Sequence, residues 1–156
     1  MQTYTCIVRL CDEYDKAADL YLEYQQLLSN YMNNKIYTSI QSKVGDSKEF
    51  LAEYCQQWKN YTIFTFSMKK MFEYLDRYYL KNGAEKCQNL TETALNHFKE
   101  KIFKNRMVDL RRCIMQEIKK DRENEIVDQD LIKESINQFI YMGFEKKVII
   151  KKLEDQ

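Results

Sequence analysis

The sequence predicts an all-α protein built as an elongated helical repeat of seven to eight helices. Its 156 residues include no proline and three glycines, so the tight turns that a β-sandwich or barrel needs cannot be supplied in number. Apolar residues recur at intervals of three and four, which is the period of an amphipathic helix. Long helices that each carry one apolar stripe stack more naturally into an elongated repeat than into a globin-like ball.

Four helices are predicted in the N-terminal half. The first spans about residues 2–13 and the second about residues 16–43. Asp46 opens the third as the first residue of a capping box, and a fourth follows over about residues 62–81. The apolar stripe of the fourth helix consists of Phe64, Met68, Met71, Phe72, Leu75 and Tyr79.

Four further helices are predicted in the C-terminal half. Asn89 opens the fifth as part of a second capping box, a sixth covers about residues 106–122, and Asp128 caps a seventh. A short eighth segment covers residues 148–150. The best candidate for a break between repeats is the loop over residues 83–89, because no Ser/Gly-rich linker interrupts the chain elsewhere.

The three glycines are predicted to mark helix ends. Gly45, Gly83 and Gly143 each follow an apolar periodic segment. That is the position just after a helix, where a left-handed backbone is common and glycine adopts it without steric cost. Their wide separation also excludes a P-loop or a Rossmann fingerprint, each of which needs several glycines in one turn.

Composition limits the function classes. The formal net charge is +1, so no overall field attracts nucleic acid or a basic partner. No apolar run is long enough to span a membrane, and the N-terminus lacks the features of a secretion signal. Five scattered cysteines without CxxC spacing indicate reduced core thiols in a cytoplasmic or nuclear protein. A disulfide pair or a metal site is the alternative.

The sequence offers little for catalysis, and neither a metal nor a cofactor is expected. His97 is the single histidine. It could act as a general base, but a surface or core histidine is the favoured interpretation. The charge run over residues 119–123 mixes both signs, which favours a solvated helix end over a phosphate-binding patch. The 12 tyrosines suit a partly wet surface that meets a partner, although each could equally cap the core. The sequence therefore favours a binding module or scaffold over an enzyme.

Five segments carry a resemblance to a known family. Residues 54–61 contain a tryptophan and lead into residues 71–79, which contain the block Tyr-Leu-Asp-Arg. This arrangement resembles the N-terminal region of cullins. Residues 4–11 resemble an early helix of that family, residues 97–103 resemble the helix that opens the second cullin repeat, and residues 118–128 resemble the connector that follows.

The resemblance covers about residues 1–143 and implies a stalk of five-helix cullin repeats. Residues 1–82 would form a first repeat that lacks its opening helix, and residues 89–156 would begin the second. The chain departs from the family pattern by starting at the second helix without the aromatic residue expected just before Met1. The match fades after Gly143.

The resemblance implies a non-catalytic scaffold of a cullin-RING ubiquitin ligase, acting in ubiquitin-dependent protein degradation. Its first repeat would hold a Skp- or BTB-fold adaptor with a substrate receptor, and similarity is greatest to cullins that use a Skp-type adaptor. The adaptor would pack on the first and fourth helices predicted here. The expected contact residues are Thr3, Tyr4, Ile7, Val8, Ser67, Lys70, Met71 and Tyr74. The alternative is a structural helical-repeat protein that keeps this fold and has lost adaptor binding.

Overall fold

The computed structural model describes residues 2–13, 16–80 and 89–143, and within these ranges it consists of helices and contains no strand. The all-α prediction is confirmed, and the six helices of the described ranges are close to the seven or eight expected. They are α1 (Gln2–Asp12), α2 (residues 17–41), α3 (Ser47–Met71), the short π-helical α4 (Leu75–Leu80), α5 (residues 90–122) and α6 (Gln129–Gly143).

Helix starts follow the predicted caps. The side chains of Asp46, Asn89 and Asp128 each accept a hydrogen bond from the backbone N–H three residues later, at 3.0, 2.8 and 3.1 Å. Each bond satisfies one of the N–H groups that the first turn of a helix leaves without a partner. The predicted starts of α3, α5 and α6 are therefore confirmed.

Gly45 lies in the turn after α2, as predicted, but without the expected backbone geometry. No described glycine has a positive φ, so the expected left-handed backbone is absent at Gly45, and Gly83 lies outside the described residues. The left-handed residue is instead Asn124, with φ of 62°. The next N–H, of Glu125, bonds to the Lys120 carbonyl at 2.9 Å and closes the end of α5. Asparagine is the commonest substitute for glycine at this position.

The boundary predicted near residue 62 is wrong. Helix α3 continues to Met71, and the interruption lies at Phe72, whose φ of −100° and ψ of 14° depart from helical values. The Phe72 ring is buried and packs against Tyr24 with 5.4 Å between centroids. Because Phe72 belongs to the predicted apolar stripe, periodicity runs through the interruption and does not reveal it.

The predicted fifth and sixth helices are joined by a π turn, and a second π turn lies inside the helix predicted over about residues 16–43. Lys99–Phe103 connects Leu90–Phe98 to Lys104–Arg122 and makes α5 one helix, and Met32–Ile36 lies inside α2 in the same way. The turn in α5 buries the adjacent side chains Ile102 and Phe103, which a regular helix would place about 100° apart. The two π turns contact each other. The predicted eighth segment, residues 148–150, lies outside the described residues.

Helix α3 is the centre of the core and contacts α1, α2, α5 and α6. Three buried or half-buried rings of α3 surround the ring of Phe98 from α5: Tyr54 at 6.1 Å, Trp58 at 4.8 Å and Tyr61 at 5.1 Å between centroids. The Tyr61 hydroxyl donates to the Ala94 carbonyl at 2.7 Å, so a buried polar group is satisfied. Several tyrosines therefore belong to the core.

The prediction of five core thiols is wrong for at least one cysteine. Cys55 and Cys113 are buried, as expected. Cys11 is half-buried and Cys6 is exposed on α1, while Cys87 lies outside the described residues. The exposed position of Cys6 follows from the geometry of α1, which turns Ile7 into the core and leaves its neighbour on the outer side.

Candidate binding surface

The two helices predicted to share a binding surface lie side by side. Helix α1 contacts both α3 and α4 along the edge of the bundle. The stripe of α3 that faces outward here is set by spacing, because residues three, four and seven apart share one side of a helix. Ser67 and Lys70 occupy this stripe and are exposed. Tyr74 follows on the turn between α3 and α4 and is half-buried.

Tyr4 and Tyr74 form the clearest contact across this edge. Their rings meet edge to face, with centroids 6.4 Å apart and planes at 86°. This is a favourable geometry for aromatic pairs. The hydroxyl of Tyr74 donates to the carboxylate of Asp12 at the end of α1, so the same side chain ties both ends of α1 to the start of α4. Tyr4 keeps 36% of its surface exposed and remains accessible.

The outward stripe extends further along α3 than the sequence analysis proposed. Ile63 and Phe66 are 67% and 61% exposed, and both lie within two turns of Ser67. The ammonium group of Lys70 lies over the Phe66 ring, 4.6 Å from its centroid. Such a cation–π contact holds an otherwise free lysine close to an apolar surface. These two residues were not predicted, because only the core-facing stripe of this helix was considered, although Ile63 lies four residues before Ser67 and Phe66 four before Lys70.

Four of the expected contact residues are less accessible or not described. Ile7 is 4% exposed and belongs to the core, so its place in the expected contact set is corrected. Met71 is half-buried and packs against the core, while Val8 is half-buried. Thr3 lies in α1, but its side chain is outside the described residues. The exposed members are therefore Tyr4, Ser67 and Lys70, and the half-buried Tyr74, Val8 and Met71 lie at their margin.

The matching family model is the "Cullin alpha solenoid domain", and it covers residues 1–155 of the chain. This chain belongs to the cullin family. The match continues beyond residue 143, where the resemblance was expected to fade. The chain corresponds to the N-terminal region of cullins, and the helical fold described above is the α-solenoid of that family.

Several curated relatives have the same region. Cullin-1 of Oryza sativa subsp. japonica is 24% identical over 146 residues, which cover 92% of this chain and 19% of the relative. Cullin-2 of Arabidopsis thaliana is 27% identical over 158 residues, covering 99% and 20%. "Cullin-like protein 3" of A. thaliana is 25% identical over 143 residues, covering 92% and 54%. The cullin chain thus spans about a fifth of the two full cullins named here.

His97 is the side chain that could act as a general base in this cullin chain. His97 is half-buried on α5, where burial and then the charge of Lys101 lower its pKa. Among the described residues, no three His, Cys, Asp or Glu side chains come close enough to hold a metal ion. In the same ranges, none of the helices combines the length and apolar character that crossing a membrane requires.

Proposed function

We propose that this chain is the adaptor-binding part of a non-catalytic scaffold in a cullin-RING ubiquitin ligase. Its partner would be a Skp- or BTB-fold adaptor that carries a substrate receptor, in the cytoplasm or nucleus. Membership of the cullin family supports the scaffold, and the Tyr4–Tyr74 pair at the edge of α1, α3 and α4 supports the place of binding. The binding role requires no cofactor.

The chemistry of the edge suits a partly wet protein interface. Tyr4 and Tyr74 offer large rings with polar tips, and tyrosine is enriched among the residues that dominate binding energy. Ile63 and Phe66 supply exposed apolar area beside them. Lys70 adds one positive charge that is already held against Phe66. A matching adaptor surface would present an apolar ridge with a carboxylate opposite Lys70.

The arrangement also lowers the entropic cost of binding. A free tyrosine or lysine loses rotamer freedom when a partner fixes it. Here the Tyr74 ring is already held by Tyr4 and its hydroxyl by Asp12, while the Lys70 head is held by Phe66. The contact groups are therefore largely ordered in the free chain, so less rotamer freedom is lost when a partner binds and the affinity is higher.

Binding of purified Skp- and BTB-fold adaptors to the chain, measured by calorimetry, tests the proposal. Tyr4→Ala and Tyr74→Ala should each weaken binding by about thirtyfold, the cost of losing a tyrosine anchor. Tyr37→Ala is the matched control, since Tyr37 is 40% exposed on α2 and its ring contacts Arg106 of α5. It should bind like the unmodified chain.

Two results would contradict the proposal. If the unmodified, folded chain binds none of the adaptors, the alternative of a structural cullin-fold protein without adaptor binding is supported. If an adaptor binds but Tyr37→Ala weakens binding more than Tyr4→Ala does, the contact surface lies elsewhere on the bundle.

A further inference from the structure

The outward face of α5 carries a stripe of positive and apolar side chains that the linear sequence hides. Over residues 104–122, the positions opposite the buried side of the helix repeat at three, four and seven. We name this set the α5 stripe. Its members are Lys104, Val108, Arg111, Arg112, Met115, Lys119 and Arg122, all of them exposed. No acidic residue occurs among them.

The acidic residues of the same segment, Asp109, Glu117 and Asp121, lie outside the stripe, and Asp121 accepts a hydrogen bond from Gln129 of α6. Glu117 is 3% exposed on the core side, where it accepts hydrogen bonds from Ser47 and Lys120. Asp109 lies at the flank and pairs with Arg106 and Arg112 at 3.4 and 3.1 Å. The helix therefore separates charges that alternate in sequence. The sequence predicted the mixed run over residues 119–123 to be a solvated helix end. In the structure, this run contributes Lys119 and Arg122 to the stripe.

Three cations of the stripe are available to a partner. Arg111, Lys119 and Arg122 form no ion pair with any residue in the described ranges. Val108 precedes Arg111 by one turn and Met115 lies between Arg111 and Lys119; they are 74% and 57% exposed and seven residues apart. A shallow groove of about 410 Å³ runs along this face. Its lining residues are Arg112, Met115, Gln116, Ile118, Lys119 and Arg122.

We propose that the α5 stripe binds an acidic amphipathic helix of another protein. Two apolar residues seven apart match the spacing at which one helix presents successive contacts to another. The flanking cations, which have no acidic neighbour in the stripe, match carboxylates on either side of the partner's apolar seam. The proposal is independent of adaptor binding, because no residue of the α5 stripe belongs to the edge formed by α1, α3 and α4.

Other anionic partners fit this face less well. A nucleic-acid surface would favour aromatic residues for stacking and a broader basic field, whereas the stripe has no aromatic residue and the chain has a net charge of +1. A membrane surface is met by amphipathic helices with Trp, Phe or Leu on a wide apolar face. Val108 and Met115 alone offer too little apolar area for that role.

The test uses the whole chain and a designed peptide as probe. The probe is a fluorescent amphipathic helix with leucines at heptad spacing flanked by glutamates, and a scrambled peptide of identical composition is its control. Fluorescence anisotropy should show binding of the probe that weakens steeply as salt is raised. Arg111→Glu/Lys119→Glu should reduce affinity at least about tenfold, and Met115→Ser about fivefold.

Control variants separate a specific site from general attraction. Lys35→Glu/Lys48→Glu introduces the same charge change at two exposed positions outside the stripe and should bind the probe nearly like the unmodified chain. Far-UV circular dichroism checks that all variants remain folded. The proposal is overturned if the scrambled peptide binds equally, or if both double variants lose equal affinity. It is also overturned if phosphatidylserine vesicles or duplex DNA bind the chain more tightly than the probe does.

Discussion

Aromatic rings occur both in the contact between α3 and α5 and at the edge where α1 meets α3 and α4. They are buried in the contact and partly exposed at the edge. In the α3–α5 contact, the rings of Tyr54, Tyr61 and Phe98 are at most 1% exposed. At the edge, Tyr4 is 36% exposed and Tyr74 is half-buried. The buried tyrosine Tyr61 bonds to a backbone carbonyl, whereas Tyr74 bonds to a side-chain carboxylate near solvent.

This difference predicts separate roles for the two regions within one small bundle. A buried ring contributes through the apolar area that it removes from water and through close packing, so its loss leaves a cavity. A half-exposed ring contributes little in the free chain and retains area that a partner can bury. The α3–α5 contact should therefore govern folding, and the edge should govern recognition.

The largest expected effect is at Phe98. Phe98→Ala removes the ring that Tyr54, Trp58 and Tyr61 surround, and it should lower the free energy of unfolding by about 4 kcal/mol. Urea unfolding followed by circular dichroism measures this change. Phe66→Ala is the matched control, since that ring is 61% exposed and its loss should cost less than about 1 kcal/mol. Equal losses would erase the distinction between the two regions.

Thiol labelling compares the regions without changing the core. In the native chain, Cys6 on α1 should react with a thiol reagent about a hundredfold faster than Cys55 or Cys113, because these react only when the core opens. Burial also raises the pKa of both core thiols, which lowers the reactive thiolate fraction. Peptide mass spectrometry of briefly labelled protein measures the three rates. Equal protection of Cys6 would show that α1 is covered in solution.

The hydrogen bond between Ser47 of α3 and Glu117 of α5 should make an intermediate contribution to stability. Glu117 accepts hydrogen bonds from Ser47 at the start of α3 and from Lys120, and its side chain is 4% exposed. Glu117→Ala should lower the free energy of unfolding by about 2 kcal/mol, because Ser47 loses a buried partner while Lys120 still reaches water. Thermal unfolding compares it with Glu23→Ala, an exposed position on α2. An equal melting temperature in both variants would contradict this role.

The smallest expected effect on stability is at the edge. Tyr4→Ala removes one half of the edge-to-face pair with Tyr74 and should cost about 1 kcal/mol in unfolding free energy. A double-mutant cycle with Tyr74→Phe, which keeps the ring and removes only the hydroxyl, separates the ring contact from the bond to Asp12. A loss of about 3 kcal/mol or more in Tyr4→Ala would place Tyr4 in the core.

Local sequence patterns predicted the helix starts well, whereas the helix interruptions depend on long-range packing. The caps at Asp46, Asn89 and Asp128 depend on a side chain and a backbone group three residues away, which sequence shows directly. The interruption at Phe72 and the π turn at Lys99–Phe103 depend on which distant residues the chain buries. Periodicity cannot show these features because the apolar spacing runs through them.

The placement of the edge residues was predicted only in part, and adaptor binding there stays a prediction. The resemblance to cullins named the two helices, and the structure places them side by side. Ile7 was included in the contact set because the resemblance places the adaptor on this helix, yet α1 turns it inward. The α5 stripe was missed for a related reason. Charges that alternate in sequence lie on different faces of a helix, so the linear order does not show a stripe of one sign.

Amide hydrogen exchange with and without a Skp-type adaptor tests most directly the claim that the edge is the recognition region. The account predicts slower exchange in residues 2–12 and 66–77 when the adaptor is present, and unchanged exchange in residues 104–122. Exchange that slows in residues 104–122 or 129–143 while the edge stays unchanged would contradict it.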